Sequence, residues 1–450
     1  MDDDKKKSGR TSLNADTTRI LAQGVEVSND TFATKCNNND LIIGSTGSGK
    51  TRHYVKPNIL SASESLVITD PKGSLYEEMG PVLEDMGYDV MLLDMTDPER
   101  SVGYEPLSYI RYDEETDRYD PDDIAAVAEI IYGPTRSRDP YWDEAGKAML
   151  RSCISAVKEK LEKKDQNLYS VRKLFELIDA TGKGGSMSAY ANLMRILQQK
   201  DPDSYAAAQY TMTISERVET TSNCVRMMLG NKLAFLQSKG IEGILSKEDR
   251  VDIVQLGKKK TALFVIISDM DRSQDLMANL FYTQAMQALC RYADKECEDH
   301  CLPVPVRFIL DDFATNACIP DFDNMISVIR SRGIAVSIIL QSLTQLDKMY
   351  GPAAARTILN GCDTILYLGG RDLETAAYIG TQVNQTDHMV LNMARDRAWL
   401  LRSGQKPRMV RRYDLTSHPR YGMLPEARAA EKKLKAKATA KGKEADGYAG

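Results

Sequence analysis

Side chains able to do chemistry gather in a few short runs. The first is Gly44-Ser45-Thr46-Gly47-Ser48-Gly49-Lys50-Thr51, with the G-x-x-x-x-G-K-[ST] spacing of a phosphate-cradling loop. Its glycines let the backbone wrap with N–H groups pointing inward, and a helix N-terminus just after it adds positive potential. Lys50 would reach the β/γ-phosphates of ATP and the Thr51 hydroxyl would ligate Mg2+. The second run is the acidic pair Asp311-Asp312, which follows the apolar stretch Arg307-Phe308-Ile309-Leu310. In such sites one carboxylate stands beside Mg2+ and another polarises the attacking water; Asp311 and Asp312 take those roles, with Asp311 just outside the ion's direct ligands. Asp312 is one methylene shorter than a glutamate, so its carboxylate falls ~1.5 Å short and a slow ATPase is expected. The third run holds Arg330, Arg332 and Gln341. A Gln at a strand end beside the acids would sense the γ-phosphate, and an arginine would act in a neighbouring subunit's site. Both arginines equally suit the simpler task of capping a helix C-terminus.

These groups need strands to hold them. Apolar, β-branched runs at 40–43, 65–69, 90–93, 261–267, 307–310, 335–340 and 364–368 lack polar alternation and so predict strands covered on both faces. They alternate with helical patterns, which implies a parallel α/β sheet. Residues 41–43 lead directly into the glycine loop, and the helix after it carries Pro57, expected to kink or shorten it. Between about 108 and 250 the strand-like runs stop and helical periodicity covers 124–131, 142–163, 171–178, 190–199 and 205–236. The expectation is an all-α domain of residues 108–250 inserted into one nucleotide-binding domain made of 19–107 and 251–425. Residues 1–18 read as a disordered leader and 426–450 as a flexible charged tail.

Composition sets the outer bounds. The 450 residues carry 59 Lys and Arg against 64 Asp and Glu, a net charge of −5, which excludes a surface that is basic throughout. Apolar runs are strand-sized, as at 263–267, so a spanning helix is not expected. Eight cysteines without a CxxC pair predict reduced thiols in the cytoplasm. Cys297, His300 and Cys301 cluster, but their spacing fits no standard zinc pattern and a polar loop is expected there. The run 395–412 holds Arg395, Arg397, Arg402, Lys406, Arg408, Arg411 and Arg412 against Asp396, around a Gly404-Gln405-Lys406-Pro407 turn. It predicts a basic hairpin, either touching a phosphate backbone or subunit interface, or serving as a charged, solvated edge. Residues 113–123 are strongly acidic and would repel DNA.

Read together, the glycine loop with 41–43 before it, Asp70-Pro71-Lys72-Gly73, the run from Arg307 to Gly351, Tyr104-Glu105-Pro106-Leu107, Asp139-Pro140-Tyr141-Trp142 and His418-Pro419 resemble the type IV secretion coupling proteins of bacterial conjugation. The resemblance spans roughly residues 19–422. It implies a RecA-like P-loop ATPase with an inserted all-α domain, binding ATP and Mg2+ and forming a homo-hexameric ring at the cytoplasmic face of the bacterial plasma membrane. Implied partners are a relaxase–DNA complex or secreted effector, single- or double-stranded DNA, and channel components at the membrane. By position, Lys50, Thr51, Asp311 and Asp312 keep their roles, Gln341 becomes the nucleotide sensor and Arg330 the arginine given to the neighbour. Asp70, with Lys72, is placed beside the nucleotide or the ring channel, or in a plain turn. The family's N-terminal membrane helices are not among these residues, so a soluble form is expected. Two other readings compete: an ATP-binding recruitment adaptor that hydrolyses weakly, and a DNA translocase of the same superfamily outside conjugation.

Overall fold

The computed structural model describes residues 17–133, 140–179, 188–213, 219–268, 270, 272–313, 318–430 and 432. Most of the leader and of the charged tail, together with Asp139, therefore lie outside the described residues. The strands in chain order are β1 (Thr18–Ala22), β2 (Val25–Ser28), β3 (Asp40–Ile43), β4 (Ser65–Thr69), β5 (Asp89–Asp94), β6 (Tyr112–Asp113), β7 (Arg118–Tyr119), β8 (Thr261–Ile266), β9 (Val306–Leu310), β10 (Ile334–Leu340), β11 (Thr364–Tyr367), β12 (Arg397–Arg402) and β13 (Arg408–Arg411). Nine of them form one sheet in the order β13-β12-β11-β3-β10-β9-β4-β8-β5. It is parallel from β11 to β5, while β12 and β13 return antiparallel as the expected hairpin.

The uniform apolarity of the central strands follows from burial on both faces. Leu41 and Ile43 of β3 face one apolar layer and Ile42 the other. The second layer contains β1, β2 and the helix Ser74–Asp85; the first continues without a break into the helical segment.

At the N-terminal ends of the strands lies a buried charge network that the sequence reading did not anticipate. Arg19 of β1 donates to Asp40 of β3 at 2.8 Å, and the Tyr54 hydroxyl donates to the same carboxylate at 2.6 Å. Arg307 of β9 pairs with Glu64 at 2.7 Å and reaches Ser337 of β10 at 3.2 Å. Two cations meet two carboxylates, so the network is charge-balanced while hidden from water. Removing one member leaves its partner buried and unpaired, a loss of about 3–5 kcal/mol. Arg307→Met is accordingly expected to lower the unfolding free energy measured by urea denaturation by that amount, whereas an exposed pair such as Lys164–Glu162 contributes about 0–1 kcal/mol.

The segment between β5 and β8 carries the helices Pro121–Tyr132, Pro140–Lys160, Leu168–Glu176, Ala189–Lys200, Tyr205–Thr213, Glu219–Lys232 and Lys239–Ser246. It is not purely helical: β6 and β7 pair antiparallel, bringing Tyr112 opposite Tyr119. The helical run expected over 205–236 holds the helices Tyr205–Thr213 and Glu219–Lys232 and closes in a separate short turn, Ala234–Gln237. Much of the acidic stretch is used locally. Asp120 caps the helix Pro121–Tyr132, and Asp123 pairs with Arg111 and Arg291. The start of the expected tail is ordered too. Residues 425–430 are helical, and Glu426 pairs with Arg52 at 3.0 Å.

Glu105 sits where the chain leaves the sheet for the helices. Its Oε1 accepts the N–H groups of Leu107 at 3.0 Å and Leu168 at 3.3 Å, stapling the two segments. Burial pushes its carboxyl up to about 8 and pushes neighbouring Lys158 down to about 8. Folded Glu105 therefore holds a proton that the unfolded chain, near 4.5, has released. Its stabilisation is full in acid and is lost as pH rises from 4.5 through about 8. Lys158 acts above that window. The thermal midpoint should fall across this range in the wild type and more weakly in Glu105→Gln, which keeps the acceptor oxygen and removes the titration.

Candidate active site

The glycine loop leaves β3 at the C-terminal end of the sheet, with neighbouring strands holding its first residues. Gly44 N–H donates to Leu340 O of β10 and Ser45 N–H to Gly369 O beyond β11, each at 3.0 Å. Gly47 and Gly49 stand at φ +78° and +82°, a region costly for residues bearing a Cβ. Gly49 has a second constraint: a Cβ there would come 2.5 Å from the His53 ring. Lys50 is buried and its ammonium donates to Gly44 O at 2.8 Å, closing the loop on itself. Ser48 Oγ is buried with no recorded hydrogen-bond partner. An unpaired hydroxyl and an ammonium within one glycine cradle suit an anionic oxygen ligand.

After the loop the chain winds through a wide π-helical turn, Thr51–Val55, and a six-residue α-helix, Lys56–Ser61. Pro57 explains the change. It has no N–H for the His53 carbonyl and its ring would crowd that group, so the turn widens and the helix stays short.

The acids lie one strand further from the loop than a neighbouring-strand arrangement requires, because β10 runs between β3 and β9. Contact is kept because Thr51 starts its helix leaning across that gap: its Oγ1 donates to Asp311 Oδ2 at 3.0 Å. Gln341, at the end of the intervening β10, bridges the two sides. Its Oε1 accepts from Thr46 Oγ1 at 3.2 Å, and its Nε2 points to Asp312 Oδ1 at 3.5 Å. Burial, reinforced by repulsion from Asp312, pushes Asp311 up to about 6; the Thr51 hydrogen bond and the Lys50 charge oppose the rise. Asp312 stands at φ +49°, an uncommon backbone for a non-glycine residue, of the kind that gathers at functional sites.

Asp70 is close to this site, since the β4–β9 register continued past Ile68–Ile309 sets it beside Asp311, whereas the two arginines lie elsewhere. Asp70, at the end of β4, has both oxygens engaged by its own turn, accepting Tyr76 N–H at 2.8 Å and Lys72 N–H at 3.4 Å. The turn reading accounts for its recorded contacts. Arg332 bonds Val328 O at the close of its helix and pairs with Asp294, each at 2.9 Å. Arg330 is different. Its guanidinium is exposed, touching Thr31 O at 3.4 Å, in the wall of a cavity of about 1070 Å³ at the N-terminal ends of the strands. That is the opposite end of the sheet from Lys50. Among the described residues no cluster of His, Cys, Asp or Glu is placed to hold a metal by itself, Cys297, His300 and Cys301 included. No helix among them is long and apolar enough to cross a membrane.

Residue-by-residue reading missed two contacts between the loop region and the C-terminal hairpin, made by Arg412 from the hairpin and by His53 from the turn after the loop. Arg412 Nη1 donates to Ser48 O at 2.7 Å and His53 Nδ1 donates to Tyr413 O at 2.8 Å. A histidine right after the loop was the available signal, but the partner depends on strand order.

The family profile described as Type IV secretory system Conjugative DNA transfer matches residues 10–387. Protein VirD4 of Agrobacterium fabrum is 20% identical over 352 residues, which cover 76% of this chain and 49% of that protein. The chain thus spans about half the length of this relative. Among solved structures, TrwBdeltaN70, a bacterial conjugative coupling protein in an unbound form, superposes with a TM-score of 0.64 at 16% identity over 88% of each chain. The plasmid coupling protein TrwB with the ATP analogue ADPNP gives 0.64 at 17% identity, over 88% of this chain and 89% of that one. VirB4 of Thermoanaerobacter pseudethanolicus gives 0.54 at 12% identity, over 91% and 99%. These likenesses establish the RecA-like P-loop α/β fold.

Proposed function

The chain belongs to the type IV secretory system conjugative DNA transfer family, and from that premise we propose that it is an ATP-hydrolysing coupling protein. In this reading it recruits a relaxase–DNA complex or a secreted effector to a type IV secretion channel and translocates single-stranded DNA. It works as a homo-hexamer docked at the inner face of the plasma membrane. Residues 19–107 and 251–425 form the nucleotide-binding part, and 108–250 the recruiting part.

The observation that carries this reading is the continuous line Thr46–Gln341–Asp312, set beside the Thr51–Asp311 hydrogen bond. Two polar links join the phosphate loop to the acids, one to each carboxylate. Lys50 and the loop N–H groups of 44–51 would hold the phosphates, with Ser48 Oγ as a further donor. Thr51 and Asp311 would hold Mg2+, which when bound neutralises phosphate charge. Asp312 would orient the attacking water, and Gln341 would report γ-phosphate occupancy by its contact with Thr46. TrwB structures with ADPNP and with ADP and Mg2+ support this choice of ligand. The exposed basic side chains Arg395, Lys406, Arg408 and Arg411 form no ion pair among the described residues and would meet DNA phosphates.

ATP turnover by the purified chain, with and without single-stranded DNA, tests the reading. Turnover no higher than the Lys50→Ala background under both conditions would sink the motor. The adaptor would then stand, a second reading favoured by the 3.5 Å reach between Gln341 and the short Asp312 side chain.

A further inference from the structure

Arg412 belongs in sequence to the basic hairpin, but its side chain does not face outward as those of Arg395, Lys406, Arg408 and Arg411 do. The half-buried guanidinium crosses the ends of successive strands, spending its donors on backbone carbonyls. Nε donates to Arg397 O at the start of β12, at 2.9 Å. Nη2 donates to Leu368 O just past β11, and Nη1 to Ser48 O in the loop after β3, at 2.7 Å. The next residue, Tyr413, uses its carbonyl to accept His53 Nδ1–H at 2.8 Å. The loop and the turn after it are therefore both held by consecutive residues of one segment.

The contact with Ser48 O has a specific effect. The Ser48 carbonyl and the Gly49 N–H lie on opposite edges of one planar peptide, so fixing the carbonyl on Arg412 turns that N–H away from the guanidinium. Gly49, at φ +82°, has the backbone freedom that would otherwise let this peptide flip at little cost. A fork with fixed donor geometry suits the task better than a flexible ammonium.

We propose that Arg412 is a positioning residue: it fixes the Ser48–Gly49 peptide so that the loop is preorganised for a nucleoside di- or triphosphate. The proposal rests on the nucleotide-binding reading above. Preorganisation acts on affinity by removing an ordering cost from binding.

Calorimetric titration of the full chain with Mg–ADP tests it, alongside steady-state ATP turnover. Arg412→Ala is expected to weaken Mg–ADP binding about tenfold and to raise KM for ATP by a similar factor, with kcat changed by less than about twofold. Arg412→Lys, which keeps the charge but loses the fork, should recover part of the affinity. A purely structural role would lower the nucleotide-free thermal midpoint and leave Kd of the folded chain unchanged. An unchanged Kd in Arg412→Ala, beside a wild type that binds Mg–ADP, overturns the proposal. If the alanine variant does not fold, Kd of Arg412→Lys and Arg412→Gln decides in the same way. A wild type that binds no Mg–ADP removes the nucleotide reading itself, and this proposal with it.

Discussion

Lys50→Ala should reduce ATP turnover about 1,000-fold, to background, with the fold intact. The size follows from where the ammonium sits. It is buried in a glycine cradle, and a charge-stabilising donor removed from such a site typically costs about 10²–10³ in rate. The stability effect is small by comparison because the ammonium's recorded hydrogen bond, to Gly44 O, lies within the loop itself. Losing one charge-assisted bond costs about 1.5–3 kcal/mol, and removing a desolvated cation offsets part of it. Turnover measured beside circular dichroism separates the outcomes. A folded variant that still hydrolyses ATP at the wild-type rate would remove Lys50 from the reaction.

If Arg330 serves as an arginine finger, Arg330→Ala should bring the second large effect, because such a residue is worth about 10³-fold or more in turnover. The geometry constrains how it acts. Arg330 precedes β10 and Gln341 follows it, so the seven residues of that strand put about 23 Å between them at ~3.3 Å per residue. Arg330 therefore acts on another copy's nucleotide or on none. Mixing Arg330→Ala with Lys50→Ala distinguishes these cases. In a head-to-tail ring, random 1:1 mixing rebuilds a complete site at about one interface in four. Independent sites would then restore about a quarter of wild-type turnover from two inactive parents. Recovery in rings shown to be mixed would establish the role in trans, and no recovery would reject a trans role between independently firing sites.

How much of this was legible in the sequence depended on whether a feature was local. The central strands were readable because two-sided burial demands uninterrupted apolar residues, and β3 and β4 occupy the expected 40–43 and 65–69. The glycine loop was readable because a few consecutive residues specify it. The hairpin β1–β2 was not: Arg19 and Glu26 break its apolar pattern, although Gln23-Gly24 at its turn, with Gly24 at φ +68°, was a usable sign. The role of Arg19 was not readable because its partner Asp40 is 21 positions away. Sheet order was the larger gap. No local pattern says that β10 enters between β3 and β9, and on that order depend the Thr51–Asp311 reach, the Gln341 bridge and Arg412 over Ser48. Asp70 shows the reverse case, a residue whose two bonds come from its own turn and so lie within a few positions of it.

β10 has one more implication if copies of this chain close into a ring. The strand is hydrogen-bonded on both sides, to β3 and to β9, so it cannot stretch or slip without breaking both ladders. In the proposed reading one end would feel the γ-phosphate position through Gln341, and the other would offer Arg330 across a subunit boundary. A shift driven by one copy's nucleotide would be handed whole to the next copy. Such a stiff rod favours firing in sequence around the ring over independent turnover, and copies would keep time with one another without any change in the sheet itself.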